Sequence, residues 1–113
     1  MFIAMNRFQV SPGRETEFEE GWRTRESYLK GVSGFAQFIL LRGDEPGDYI
    51  SHTTWVSRDA FLAWAQSEHF RRAHGSGMPE GVIAGHPRAY FYDAVIVERP
   101  DDQPAGEPTA ALD

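Results

Sequence analysis

The sequence predicts an α+β fold, a ferredoxin-like split β-α-β domain, on three observations. Alternating stretches and amphipathic stretches follow one another in the order β-α-β-β-α-β. The two helices of such a domain cover only one face of its four-stranded sheet. Phe35 to Arg42 and Ala89 to Val97 are nonetheless apolar on both faces, so the second face needs a cover. A second copy of the chain is the simplest cover, which gives a homodimer packed sheet on sheet.

Each element has its own signal. Phe2 to Val10 alternates as a strand, placing Phe2, Ala4, Asn6, Phe8 and Val10 on one face. Ser11-Pro12-Gly13 turns the chain into a helix expected from Arg14 to Lys30. Phe18, Trp22 and Leu29 fall near one stripe of it, and Glu15, Glu17, Glu19 and Glu20 complement the dipole in its early turns. Gly31 and Gly34 bracket its stop. Phe35 to Arg42 is the second strand, Gly43 to Asp48 a hairpin loop, and Tyr49 to Val56 the third strand. Ser57 is an N-cap, with Asp59 in the first turn, for a helix carrying Phe61, Trp64 and Ala65. Ser67 is expected to restart this helix after a kink, and His74-Gly75 to end it. Gly75 to Pro87 reads as a glycine-rich loop, and Ala89 to Val97 as the last strand.

Composition limits the function. The 113 residues make one domain, 1–98, followed by an acidic tail, 99–113, rich in Pro and Ala. Net charge is −6, but Asp101, Asp102, Glu107 and Asp113 lie in that tail, leaving −2 on residues 1–100. No basic stripe exists to displace counterions, so nucleic acid is not expected as a partner. Cysteine is absent, leaving His and carboxylates as the metal-ligand types. No apolar run approaches the roughly 18 residues of a membrane span, and no basic segment leads into an apolar one. A soluble, cytoplasmic chain without a membrane partner is expected.

Asn6 is the one polar side chain on its strand face. A buried amide without partners costs about 1–3 kcal/mol, so its position calls for a reason. Trp64 and His74 could complete a pocket with it. Each also has a plainer reading. Trp64, at helical spacing from Phe61, fits a core position. His74, at a helix C-terminus, fits a cation that complements the dipole. A ligand-type side chain opening into a glycine loop nevertheless resembles the mouth of a flat-ligand pocket. No His pair has the spacing of a zinc helix, no phosphate-binding loop occurs, and Gly75-Ser76-Gly77 lacks the context of a hydrolase elbow. Asp44, Glu45 and Asp48 read as a solvated turn, and Arg71-Arg72 as a solvated helix face.

Met5-Asn6-Arg7, Phe61-Leu62-Ala63-Trp64 and Phe70-Arg71-Arg72-Ala73-His74-Gly75 together resemble the IsdG-type heme-degrading monooxygenases, HmuQ-like members in particular. These belong to the antibiotic-biosynthesis monooxygenase superfamily of dimeric α+β barrels. The resemblance implies heme as substrate and cofactor, bound between the sheet and the second helix. His74 would be the proximal iron ligand, and Asn6 would hydrogen-bond to the activated oxygen. Trp64 would press on the porphyrin face. Trp22 and Arg25 match an aromatic and an arginine that the family places near the heme. The implied reaction opens the porphyrin ring at a meso carbon with O₂ and an external electron donor, releasing iron and a biliverdin-like tetrapyrrole.

One gap stands in that reading. The segment Gly75 to Pro87 has no Lys or Arg for the propionates, leaving glycine N–H groups, His86, Arg88 or water. Two alternatives stand beside it: a cofactor-free quinol or polyphenol monooxygenase, which needs no iron ligand, and a non-catalytic heme-binding protein.

Overall fold

A computed structural model describes residues 1–25, 27–67 and 78–100. Its elements are β1 (Phe2–Val10), α1 (Glu15–Thr24), β2 (Phe35–Arg42), β3 (Asp48–Trp55), α2 (Arg58–Ala65) and β4 (Ile83–Asp93). The strands form one antiparallel sheet in the order β2-β3-β1-β4, the ferredoxin-like arrangement. Among the described residues, no helix is long and apolar enough to cross a membrane.

Register fixes what faces the helices. Directly opposed residues share a face, so two cross-sheet rows run Phe38–Thr53–Ala4–Phe91 and Leu40–Ser51–Asn6–Ala89. On this side the core is not continuous. One buried cluster gathers Phe2, Ala4, Leu29, Trp55 and Trp64. The other gathers Phe8, Val10, Phe18, Tyr49 and Val82. Asn6 and Ser51 belong to neither.

Several boundaries differ from the sequence expectation. Helix α1 ends at Thr24 rather than Lys30, because Arg25 is extended (φ −68°, ψ 153°). The chain then leaves the helix axis and delivers Leu29 and Val32 onto the first cluster, so packing overrides local propensity. Strand β3 is shifted one residue earlier at each end. Strand β4 begins well before Ala89, at Ile83, and absorbs part of the expected loop. Its pairing with β1 jumps from Arg88 to Ala84 between Arg7 and Gln9, a bulge that holds Gly85 (φ 73°), His86 and Pro87. Proline is tolerated there because β4 is an edge strand and the bulge needs no ladder N–H. The strand ends at Asp93, leaving Val95 and Ile96 89% and 82% exposed rather than paired.

The N-cap at Ser57 is as expected, its side chain accepting from Ala60 N at 3.1 Å. The restart of the helix beyond Ser67 and its end at His74-Gly75 lie outside the described residues, as does the tail beyond residue 100. The sheet face away from the helices carries Ile3, Met5, Ile39, Leu41, Tyr90 and Tyr92. Among the described residues no helix covers it, and Leu41 and Tyr92 are exposed.

An acid-sensitive clasp ties α1 to the sheet. Glu19 accepts hydrogen bonds from Tyr49 Oη at 2.5 Å and Arg42 Nη1 at 2.8 Å. The Tyr49 hydroxyl, then Arg42, holds its carboxyl below the ordinary glutamate range. A carboxylate depressed in the folded state contributes stability above its unfolded value, and this is lost as pH falls through the folded value. Glu19→Gln should therefore flatten the loss of stability below the usual carboxylate range, read as the urea midpoint against pH. An unchanged acid limb would show that the clasp contributes nothing.

Candidate functional site

The break between the two clusters is the candidate site. Asn6 is half-buried at its floor, and Ser51, its ladder partner on β3, is 7% exposed. Neither side chain is hydrogen-bonded to another described residue. Thr53, one step along β3 on the same face, is committed: it donates to Ala4 O at 3.2 Å and accepts from Trp55 Nε1 at 3.0 Å. On the β4 side the floor is bare. Ala89 is exposed and Phe91 is 49% exposed although both face the helices. Phe91 lies nearly parallel to Phe2, 6.2 Å between centroids.

Trp22 of α1 forms the wall on the β2 side. It sits edge-on to Phe8 and Phe18 of the second cluster and stacks on Phe38, 5.4 Å away at 26°. Phe38 packs in turn on the first cluster, so the pair bridges the break. The Trp22 Nε1 atom is buried without a hydrogen-bond partner among the described residues. Arg25 lays its guanidinium over both rings, 4.8 Å from each centroid. Arg25 is the C-cap of α1, so an extended cap brings it back over Trp22, not the shared helix face the spacing suggested. Burial lowers its pKa from the usual arginine value, and no carboxylate among the described residues pairs with it.

The remaining sequence candidates divide. Trp64 is buried in the first cluster, 5.4 Å from Trp55, and also lines a cleft of about 440 Å³ between α2 and the connector 27–33. Its core role is thus established in this fold; a ligand role rests on that cleft. His74, with Arg71 and Arg72, lies outside the described residues. His86 sits in the β4 bulge rather than a loop. Arg88 opposes Arg7 on the open face of the sheet, away from the break. Ser51, Phe38 and Phe91 are site residues that sequence reasoning missed. Their faces follow from the strand register, which was legible only once β1 was paired to both neighbours.

The arrangement suits a flat, apolar ligand carrying an anionic group. Aromatic rings provide stacking surface, a partly buried cation has no carboxylate partner among the described residues, and two polar side chains without described partners face the break from the sheet.

The sequence profile described as antibiotic biosynthesis monooxygenase matches residues 1–76. Among solved structures the chain is similar to the heme-degrader MhuD of Mycobacterium tuberculosis with two hemes bound in its active site. The identity is 25% and the TM-score 0.72, covering 88% of this chain and 100% of that one. A variant of MhuD with two manganese protoporphyrin IX per active site matches at TM-score 0.74 and 24% identity, with the same coverage of 88% and 100%. SnoaB, a cofactor-independent oxygenase of Streptomyces nogalater, solved as a variant, matches at TM-score 0.62 and 24% identity, over 85% of this chain and 94% of that one.

Proposed function

Because the chain belongs to the antibiotic biosynthesis monooxygenase family, we propose that its oxygenase chemistry is the degradation of heme. The substrate is opened at a meso carbon with O₂ and electrons from an external donor, giving a biliverdin-like tetrapyrrole and free iron. The observation that carries this reading is Arg25, a partly desolvated cation with no carboxylate partner among the described residues, laid across the aromatic wall of the break. A quinol would leave that charge unmatched, whereas a porphyrin propionate matches it.

The chain's own residues divide the work. Trp22 and Phe38 give the macrocycle a stacking wall, and Arg25 holds a propionate. Asn6 presents an amide from the sheet, a donor with no proton to lose to the reacting oxygen. Trp64 closes the side formed by the first cluster. His74, nine residues past the end of α2 in the sequence, would supply the imidazole that ligates iron. Heme when bound supplies the activation of O₂.

Hemin titration, then a reductant under air, tests the proposal. A Soret band that saturates and then bleaches with iron release supports it. Quinol oxidation without a Soret band would favour the cofactor-free reading, and a band that survives reductant would favour a carrier. His74→Ala should lose the ferric complex. Arg25→Ala should weaken hemin binding roughly ten- to a hundredfold, the worth of one charged hydrogen bond, without lowering the melting temperature of the unloaded chain. Equal hemin affinity in Arg25→Ala would remove the propionate contact.

The assembly is a homodimer. The open sheet face with Leu41 and Tyr92, and the exposed Val95 and Ile96 that follow β4, form the apolar surface that a second copy covers. Sedimentation at the mass of one protomer would rule it out. The electron donor is a separate reductase.

A further inference from the structure

Ser51 shares the floor of the break with Asn6, and the two are direct partners across the β1–β3 ladder. Cβ atoms of such opposed residues stand about 4.5–5.5 Å apart. An amide N–H and a hydroxyl at that spacing reach a single acceptor from two sides. Three observations leave the hydroxyl uncommitted among the described residues. Ser51 is 7% exposed, yet its side chain makes no hydrogen bond to another described residue. The neighbouring hydroxyl on the same face, Thr53, is fully engaged by Ala4 O and Trp55 Nε1, so it is unavailable to either. The flanking positions in the row are Leu40 and Ala89, which offer no acceptor. The Ser51 Oγ is not among the fully buried polar atoms without a partner, so it opens onto the break, where a ligand atom can accept from it.

We propose that Ser51 is a second ligand-contacting donor, acting with Asn6 on one acceptor atom presented towards the sheet. The inference rests on the heme reading, in which the acceptor would be a small oxygen-type ligand that a bound heme presents to the break. Two converging donors fix the direction of that ligand as well as its charge. A single amide, free to rotate about its own side chain, fixes the direction less well.

The test uses Ser51→Ala, Ser51→Thr and Asn6→Ala in the full chain. In the unloaded protein, Ser51→Ala should melt no lower than the parent, because no hydrogen bond is lost. In the hemin-loaded, reduced protein with carbon monoxide as probe, Ser51→Ala should move the C–O stretch to higher wavenumber, the direction expected for Asn6→Ala. Ser51→Thr should restore it, and hemin affinity should be unchanged in all three variants. A C–O stretch in Ser51→Ala identical to the parent, with Asn6→Ala shifted, would overturn the role of Ser51 and leave the heme reading intact. A lowered melting temperature in Ser51→Ala would make the hydroxyl structural. A parent chain that takes up no hemin would remove the heme reading, and this inference with it.

Discussion

Replacing Asn6 by Leu is expected to raise the melting temperature and to cut heme turnover by roughly two to three orders of magnitude. The magnitude is that of deleting one preorganised donor aimed at developing charge. The rise in stability follows from the position. Asn6 interrupts a strand face whose other members, Phe2, Ala4, Phe8 and Val10, are all buried in one cluster or the other. Its amide has no partner among the described residues, so an apolar side chain of similar size joins the two clusters and removes a polar group that gains nothing from burial. On the proposed heme reading, function and stability oppose each other at this residue. Calorimetry and single-turnover bleaching of the hemin complex check the two halves separately. Parental turnover in Asn6→Leu would reduce the amide to a packing residue, and a lower melting temperature would mean it is bonded in the folded chain.

Trp55→Ala should cost about 3–5 kcal/mol, the usual range for truncating a large buried aromatic. Trp55 is fully buried and is the hub of the first cluster. Phe35, Phe61 and Trp64 surround its ring at 5.5, 5.7 and 5.4 Å, and its Nε1 donates to Thr53. A domain of this kind holds about 5–15 kcal/mol in total, so the variant should be partly unfolded at 37 °C or close to it. Urea unfolding measures the loss. A change below about 1 kcal/mol, the scale of an ordinary surface substitution, would show that the cluster is not the stabilising centre. Trp22→Ala makes the informative contrast, since that ring is only half-buried and closes the break.

The fold was legible in the sequence because its signals are local. Alternation in β1, the Gly43–Asp48 hairpin and the Ser57 cap each act within a few residues, and together they give the element order. The errors arose where distant contacts decide. Leu29 has helical spacing from Trp22, yet the chain leaves the helix at Arg25 so that Leu29 can reach Trp55 and Trp64. Gly85 and Pro87 look like a loop, yet an edge strand with a bulge accommodates them. At the site, Asn6 announced itself by breaking a pattern. Trp22 and Arg25 were singled out by a family resemblance rather than by their chemistry, and the structure supplies the chemistry by stacking one on the other. Ser51 was invisible because a serine in a half-buried strand is unremarkable until its neighbour across the ladder is known. His74 lies outside the described residues, so its assignment rests on the resemblance.

The divided core also links cargo to survival. A pigment lodged between the two aromatic halves would bind only the native chain, and at a hundredfold excess over its dissociation constant it would add about 2.7 kcal/mol to the folding equilibrium. Molecules without cargo would then be the ones that open most often and meet proteases first, so the abundance of the protein would follow the supply of what it consumes.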